Sequence, residues 1–363
     1  MLSRRSLVLA GAAPGLLARR ACAGVTAAAA GFHLPDEAGP HERTFMQWPV
    51  SRATYGDAGF LASVQRSIAD IANAIAAFEP VVMLMDRLQQ AGARRLLSGA
   101  VAIWDIPTDD LWCRDSGPAF VVDGRGGLAV TQFNFNGWGN KQAHGNDGLV
   151  AGRVAARLGL PVFDAGLVGE PGGLEADGAG TVIAHESSWV NRNRNAGDRA
   201  AVERLMLATT GARKVIWAPG IKGADITDCH IDALVRFTAP GTVLIQMAKQ
   251  IDPDDPWSRA AFATRAVLAA ATDAAGRRLV LVTLPEPEHP RVRAANFVAS
   301  YVNYYVCNGA VIAAQFGDKS ADAHAKATLA RLYPGREIVM LDTDPIGESG
   351  GGIHCATHEQ PRV

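Results

Sequence analysis

Short apolar runs alternate with longer stretches of helical periodicity along almost the whole chain, and this alternation limits the possible folds more than any other feature. Residues 81–85, 129–135, 181–184, 242–246, 279–283, 310–314 and 338–341 are short apolar runs and read as strands. Between them, Leu61, Val64, Ile68, Ile71, Ile75 and Phe78 recur on one helical face, and 151–158, 198–209, 257–274 and 321–332 look similar. Strand alternating with helix predicts an α/β protein. Polar marks close strand-like segments at Asp115, Glu170, His230 and Cys355, with spacings of 55, 60 and 125 residues. The last spacing is about twice 62, so one missing mark would fall near position 292, a little before 300–304. A repeated supersecondary unit of about 60 residues would build a radial array of five to six units. The alternative is coincidence among four chosen marks. No linker rich in Pro, Gly or Ser divides the chain, so 24–363 reads as one domain.

The first 23 residues differ from the rest. Arg4 and Arg5 directly precede an apolar Ala/Gly/Leu run, and Ala21-Cys22-Ala23 supplies small residues at a cleavage spacing. This pattern reads as a twin-arginine export signal, and predicts a periplasmic or secreted product. The run is too short to span a membrane stably, and no other span candidate follows, so no stable membrane anchor is expected. Net charge is −1, from 35 Lys+Arg against 36 Asp+Glu, which gives no basic footprint for nucleic acid. A local acidic pocket could still hold a cation. Once the signal is removed, cysteines remain at 113, 229, 307 and 355, without a C-x-x-C pair. That spacing argues against a zinc ribbon or thioredoxin motif, and leaves open one or two disulfides.

Five residues carry candidate chemistry. Gly350-Gly351-Gly352-Ile353-His354-Cys355 places a thiol on glycine-rich backbone, where nearby amides can stabilise a thiolate. The bland reading is an inert buried cysteine. Gly347-Glu348-Ser349-Gly350-Gly351 in the same stretch fits the serine hydrolase elbow, but only 14 residues follow Ser349, too few for the acid and histidine of that order. In Thr227-Asp228-Cys229-His230-Ile231-Asp232, His230 and Asp232 would share one side of a strand. They suit a general acid/base beside a cation-binding carboxylate, or a plain hydrogen-bonded pair. No metal-binding set such as H-E-x-x-H accompanies them. Asp115, before a Gly-Pro turn, and Glu170, before Pro171-Gly172-Gly173, could be ordinary turn carboxylates. Together the five suit a guanidinium. It is planar, cationic and rich in N–H donors, so two carboxylates can grip it through charge-assisted hydrogen bonds. Its central carbon is a poor electrophile and calls for a thiolate, with a histidine to protonate departing ammonia and activate water.

Taken in order, these segments resemble the agmatine deiminase and bacterial peptidylarginine deiminase family. The resemblance also includes residues 41–49, 133–141, 191–195 and 300–304 and covers nearly all of 24–363. It implies the pentein fold, a five-bladed α/β propeller with pseudo-fivefold symmetry. It further implies Cys355 as nucleophile, His230 as general acid/base, Asp115 and Asp232 as guanidinium ligands, and Glu170 as the residue that orients His230 and contacts substrate. Trp112, Trp48 and Asn303 are further expected substrate contacts. The implied reaction is hydrolysis of a small guanidine, agmatine first, through an S-alkylthiouronium, without metal or organic cofactor; the resemblance allows a homodimer. Peptidylarginine deimination, amidino transfer and non-catalytic guanidine binding are the alternatives. Three residues depart from the family pattern: Pro171 and Cys229 each stand where glycine is usual, and Cys113 would share the Asp115 side of a strand.

Overall fold

The computed structural model describes residues 24–294 and 296–363; the twin-arginine segment lies outside them. Five small sheets are built from one repeated pattern. In the second, β4 (Ala119–Val122) pairs antiparallel with β5 (Leu128–Gln132), and a crossover through helix Asp147–Leu158 brings β6 (Val162–Asp164) parallel to β5. The third sheet repeats this with β7 (Leu174–Ala176), β8 (Thr181–His185) and β9 (Lys214–Ala218). The fourth uses β10 (Val235–Ala239), β11 (Thr242–Met247) and β12 (Val280–Pro285). The fifth uses β13 (Tyr305–Cys307), β14 (Ala310–Ala314) and β15 (Glu337–Leu341).

The first sheet is closed by the chain's end. β16 (Thr357–Pro361) pairs antiparallel with β1 (His41–Gln47), which runs parallel to β2 (Val81–Met85), itself parallel to β3 (Val101–Asp105). Cys355 is thus fixed by the same strand that ties the C-terminal segment to the first sheet. The five-unit expectation is met, although the spacing is uneven. Middle strands β5, β8, β11 and β14 begin at Leu128, Thr181, Thr242 and Ala310, 53, 61 and 68 residues apart.

The five long helices among the described residues were legible as amphipathic patterns. Four start on an aspartate whose carboxylate accepts backbone N–H bonds at the open first turn, namely Asp57, Asp198, Asp255 and Asp318. Helix Ala58–Ile75 buries Leu61, Val64, Ile68, Ile71 and Ile75 against the largest apolar cluster, which includes β2 and β14 residues. Strands β2 and β14 are buried at every position, as expected for strands covered on both faces. The first strand of each repeat, β4, β7, β10, β13 and β16, escaped the sequence reading because three to five residues are too few to show a period. No helix among the described residues is long and apolar enough to cross a membrane.

Candidate active site

Each of the five chemistry-bearing residues, and Asn303 with them, sits in the turn that leads into the first strand of a repeat. Asp115 precedes β4, Glu170 precedes β7, His230 and Asp232 precede β10, Asn303 precedes β13, and Cys355 precedes β16. Fivefold repetition therefore gathers residues spread over 240 positions. The fifth mark is Asn303 and not a residue near 292, because the connection after β12 is longer than the others.

The local backbone differs from the strand expected at two of these positions. Cys113–Ser116 is a single helical turn, so Cys113 does not share the side of Asp115; it is fully buried with Phe45, Val82 and Phe120. His230 caps a 3-10 turn, Ile231–Ala233, and Asp232 lies within it, and both still reach the site. Cys229 has φ of +74°, a left-handed conformation that favours glycine and accounts for the usual glycine there. Pro171 opens a 3-10 turn, where a missing N–H costs little, and the next amide, Gly172 N–H, donates to Asp115 Oδ1 at 3.3 Å.

His230 lies between two carboxylates. Its Nε2 is 3.1 Å from Glu170 Oε2, and its Nδ1 is 3.6 Å from Asp115 Oδ1. Burial works against the imidazolium, but Asp115, Glu170 and Asp232 outweigh it and raise the His230 pKa to about 9. Burial also raises Asp115, to about 6, against the pull of His230 and the 2.8 Å bond from Trp138 Nε1–H. Glu170 is held by Arg194, whose Nε is 3.0 and 2.8 Å from its two oxygens. Arg194 in turn donates to Asp228 Oδ2 at 2.8 Å and to the Thr227 carbonyl at 3.0 Å.

Cys355 is partly exposed and accepts from Asn303 Nδ2 at 3.2 Å. Its Sγ is 3.4 Å from Asp232 Oδ2, and its amide donates to Asn303 Oδ1 at 3.3 Å. Burial of the sulfur, with the Asp232 and Asp115 charges, pushes the thiol well above its ordinary range. Asp232 is itself held below the usual carboxylate range: burial opposes this, but the His354 bond and the charges of His354, His230 and Arg236 prevail. Its second oxygen, Oδ1, is buried with no hydrogen-bond partner. Such an orphan acceptor is costly unless a ligand donates to it.

The three glycines before Cys355 give room. A Cβ on Gly351 would collide with the Trp112 ring, and one on Gly352 with the Asn303 amide. Trp112 and Asn303 therefore border the nucleophile loop. Trp48 does not meet its expectation. It is 2 % exposed inside the main apolar cluster, where an indole adds core packing and offers no open face. The serine elbow is also absent, since Ser349 Oγ–H donates to the Pro345 carbonyl at 2.8 Å. The four described cysteines are all free thiols, so the disulfide left open by the sequence does not form among them. Among the described residues no group of three His, Cys, Asp or Glu side chains is arranged to hold a metal ion.

Sequence reasoning assigned no role to Trp138, Arg194, Asp228, His354 or Glu37. The first four lie in or beside segments that carried the family resemblance. Glu37 had no local signal; it belongs to the segment before β1 and reaches His354, 317 residues away, at 2.8 Å.

Known proteins resemble the chain over nearly its whole length. A 40 % identical relative from Streptomyces coelicolor aligns over 92 % of this chain and 99 % of its own length. An agmatine deiminase of Pseudomonas aeruginosa is 35 % identical over 93 % of this chain and 97 % of the relative. The solved agmatine deiminase of Enterococcus faecalis superposes with a TM-score of 0.86 at 27 % identity, covering 94 % of this chain and 98 % of that one. The profile of the Porphyromonas-type peptidyl-arginine deiminase family matches residues 33–361, and the chain belongs to that family, with its pentein α/β fold.

Proposed function

We propose that the chain is a guanidine deiminase that hydrolyses agmatine to N-carbamoylputrescine and ammonia. The observation that carries this reading is the convergence of one thiol, one imidazole and the carboxylates of Asp115, Glu170 and Asp232, with Asp232 Oδ1 lacking a donor. A guanidinium seated between Asp115 and Asp232 donates to both, and its charge offsets the two carboxylates that hold the thiol protonated. Substrate binding thereby promotes the thiolate. Sγ of Cys355 attacks the guanidinium carbon and forms a neutral tetrahedral adduct. His230, kept protonated by Asp115, Glu170 and Asp232, gives its proton to one nitrogen, which leaves as ammonia. The S-alkylthiouronium that remains is attacked by water, whose proton goes to the now neutral His230. Collapse of the second adduct frees the ureido product and restores thiolate and imidazolium, with one proton released to the ammonia. Glu170, clamped by Arg194, keeps His230 in line for both transfers.

The agmatine assignment rests on the names of the relatives. The test is ammonia and ureido-product release from agmatine, free arginine, and peptides with internal or C-terminal arginine. Agmatine is expected to lead. A preference for peptidyl arginine would move the substrate assignment, amidine recovered on an added amine would indicate transfer, and tight agmatine binding without product would reject the enzyme reading. Export by the Arg4-Arg5 signal to the periplasm is part of the same proposal; cell fractionation of wild type beside an Arg4→Lys, Arg5→Lys variant tests it. The homodimer allowed by the family resemblance is read by sedimentation.

A further inference from the structure

His354 stands immediately before Cys355, 2 % exposed, and lies outside the acid/base chemistry above. Its Nδ1 is 2.8 Å from Asp232 Oδ2, and its Nε2 is 2.8 Å from Glu37 Oε2. Both partners are carboxylates, which accept N–H donors from the ring. Glu37 cannot swing away. Its Oε2 also takes Arg114 Nη2–H at 3.2 Å, and its Oε1 takes Arg236 Nη2 at 2.7 Å and the Val306 amide at 3.1 Å. Arg236 is anchored in turn by Glu175 at 2.8 Å. The ring is tethered through its backbone too, with His354 N–H donating to the Asn303 carbonyl at 3.1 Å. A chain of ion pairs from Glu175 through Arg236, Glu37 and His354 therefore ends on one oxygen of Asp232.

We infer that His354 is a positioning residue for substrate: it fixes Asp232 through Oδ2, and so leaves Oδ1 as the free, oriented acceptor for a guanidinium N–H. This inference rests on the deiminase reading for its ligand. It accounts for two observations together, the paired Oδ2 and the unpartnered Oδ1 on one buried carboxylate. Without His354, Oδ2 is left facing only the Cys355 thiol at 3.4 Å, and the carboxylate can turn.

Three substitutions separate positioning from bulk. An asparagine amide N overlays the imidazole Nδ1 and can still donate to Asp232; a glutamine amide N overlays Nε2 and meets Glu37 instead; phenylalanine keeps the ring and loses both donors. A cavity of about 60 Å³ lies on the far side, lined in part by Glu37, Arg114, Glu175 and His358, so alanine would open the site to it and is a poor probe. Steady-state kinetics on the guanidine that wild type turns over best, with melting midpoints as a fold check, are expected to rank KM as H354N, then H354Q, then H354F. H354F should raise KM about tenfold or more, the worth of a charge-assisted bond, with kcat within about threefold, and H354N should stay near wild type. Equal KM for folded H354N and H354Q, or an unchanged KM in folded H354F, overturns the inference. If wild type turns over no guanidine, the deiminase reading fails by itself, and calorimetric binding of agmatine to the same variants decides the positioning role.

Discussion

Gly172→Ala tests the spacing on which the site depends. The new Cβ would lie 2.5 Å from Asp115 Oδ1 and 3.0 Å from His230 Nδ1. Ordinary contacts there begin near about 3.5 Å, so Asp115 must retreat by about 1 Å and His230 by about 0.5 Å. Neither has an easy path: Asp115 is held by Trp138 Nε1–H at 2.8 Å, and His230 by Glu170 at 3.1 Å. The backbone itself is not at issue, because Gly172 does not adopt a left-handed φ, and its amide can still donate to Asp115. The substitution therefore acts on position alone. A displacement of about 1 Å at reacting groups costs on the order of 100-fold in rate, equivalent to about 2.7 kcal/mol of barrier. Overpacking adds about 1–3 kcal/mol of lost stability, so the variant should melt a few degrees lower and remain folded at 25 °C. The assay is kcat/KM for ureido-product formation from agmatine, beside a thermal melt. A folded Gly172→Ala enzyme within about threefold of wild type would refute the claim that the Asp115–His230 spacing is tightly set.

Other outcomes follow from the same geometry. In kcat/KM against pH, activity should rise through about 6 as Asp115 ionises and fall through about 9 as His230 loses its proton, and Glu170→Gln should move the alkaline limb down because one of the groups raising His230 is gone. Stability carries the matching sign. His230 binds its proton more tightly folded than unfolded, so its contribution is full below its ordinary 6.5 and is lost as pH rises through about 9, which urea titrations of wild type and His230→Gln would read. Arg194→Met removes the cation that Glu170 and Asp228 share, leaving Glu170 with His230 and Asp228 with Lys141, and should cost about 1–3 kcal/mol, measured by chemical denaturation. Cys355→Ser should abolish turnover while Ser349→Ala retains it. In a chain lacking residues 1–23, Cys355 should be the one thiol a disulfide reagent reaches, and slowly because its own thiol is pushed up, since it is partly exposed while Cys113, Cys229 and Cys307 are buried.

Much of the architecture was legible locally. Helix Ala58–Ile75 announces itself through Leu61, Val64, Ile68, Ile71 and Ile75, and β14 through five consecutive apolar residues, because burial of one face or of both imprints a period or a run. The first strand of each repeat left no such imprint, being too short. Those strands are the ones that hold the site, which is why the marks were visible as polar punctuation before the strands themselves were. Cys113 was misplaced because its strand-like segment folds as a helical turn, and Trp48 because membership of a recurring motif does not say whether a side chain faces ligand or core.

The sequence alone determined the residue types and their order: a thiol after three glycines, a histidine two residues before an aspartate, two more carboxylates at turn boundaries, and a spacing compatible with a fivefold array. Only the tertiary structure decided which oxygen of Asp232 is free, that Asn303 and not a residue near 292 completes the ring, and that Glu37 reaches His354 across 317 residues. Proton affinities depend on it too: the charges of Asp115, Glu170 and Asp232 act through space and, against desolvation, raise His230 to about 9, while desolvation together with Asp232 and Asp115 pushes the Cys355 thiol up. The physical reason is one of range. Periodicity, capping and turn chemistry act over a few residues and are written in the chain, whereas burial and electrostatics depend on distances that exist only after the five sheets close.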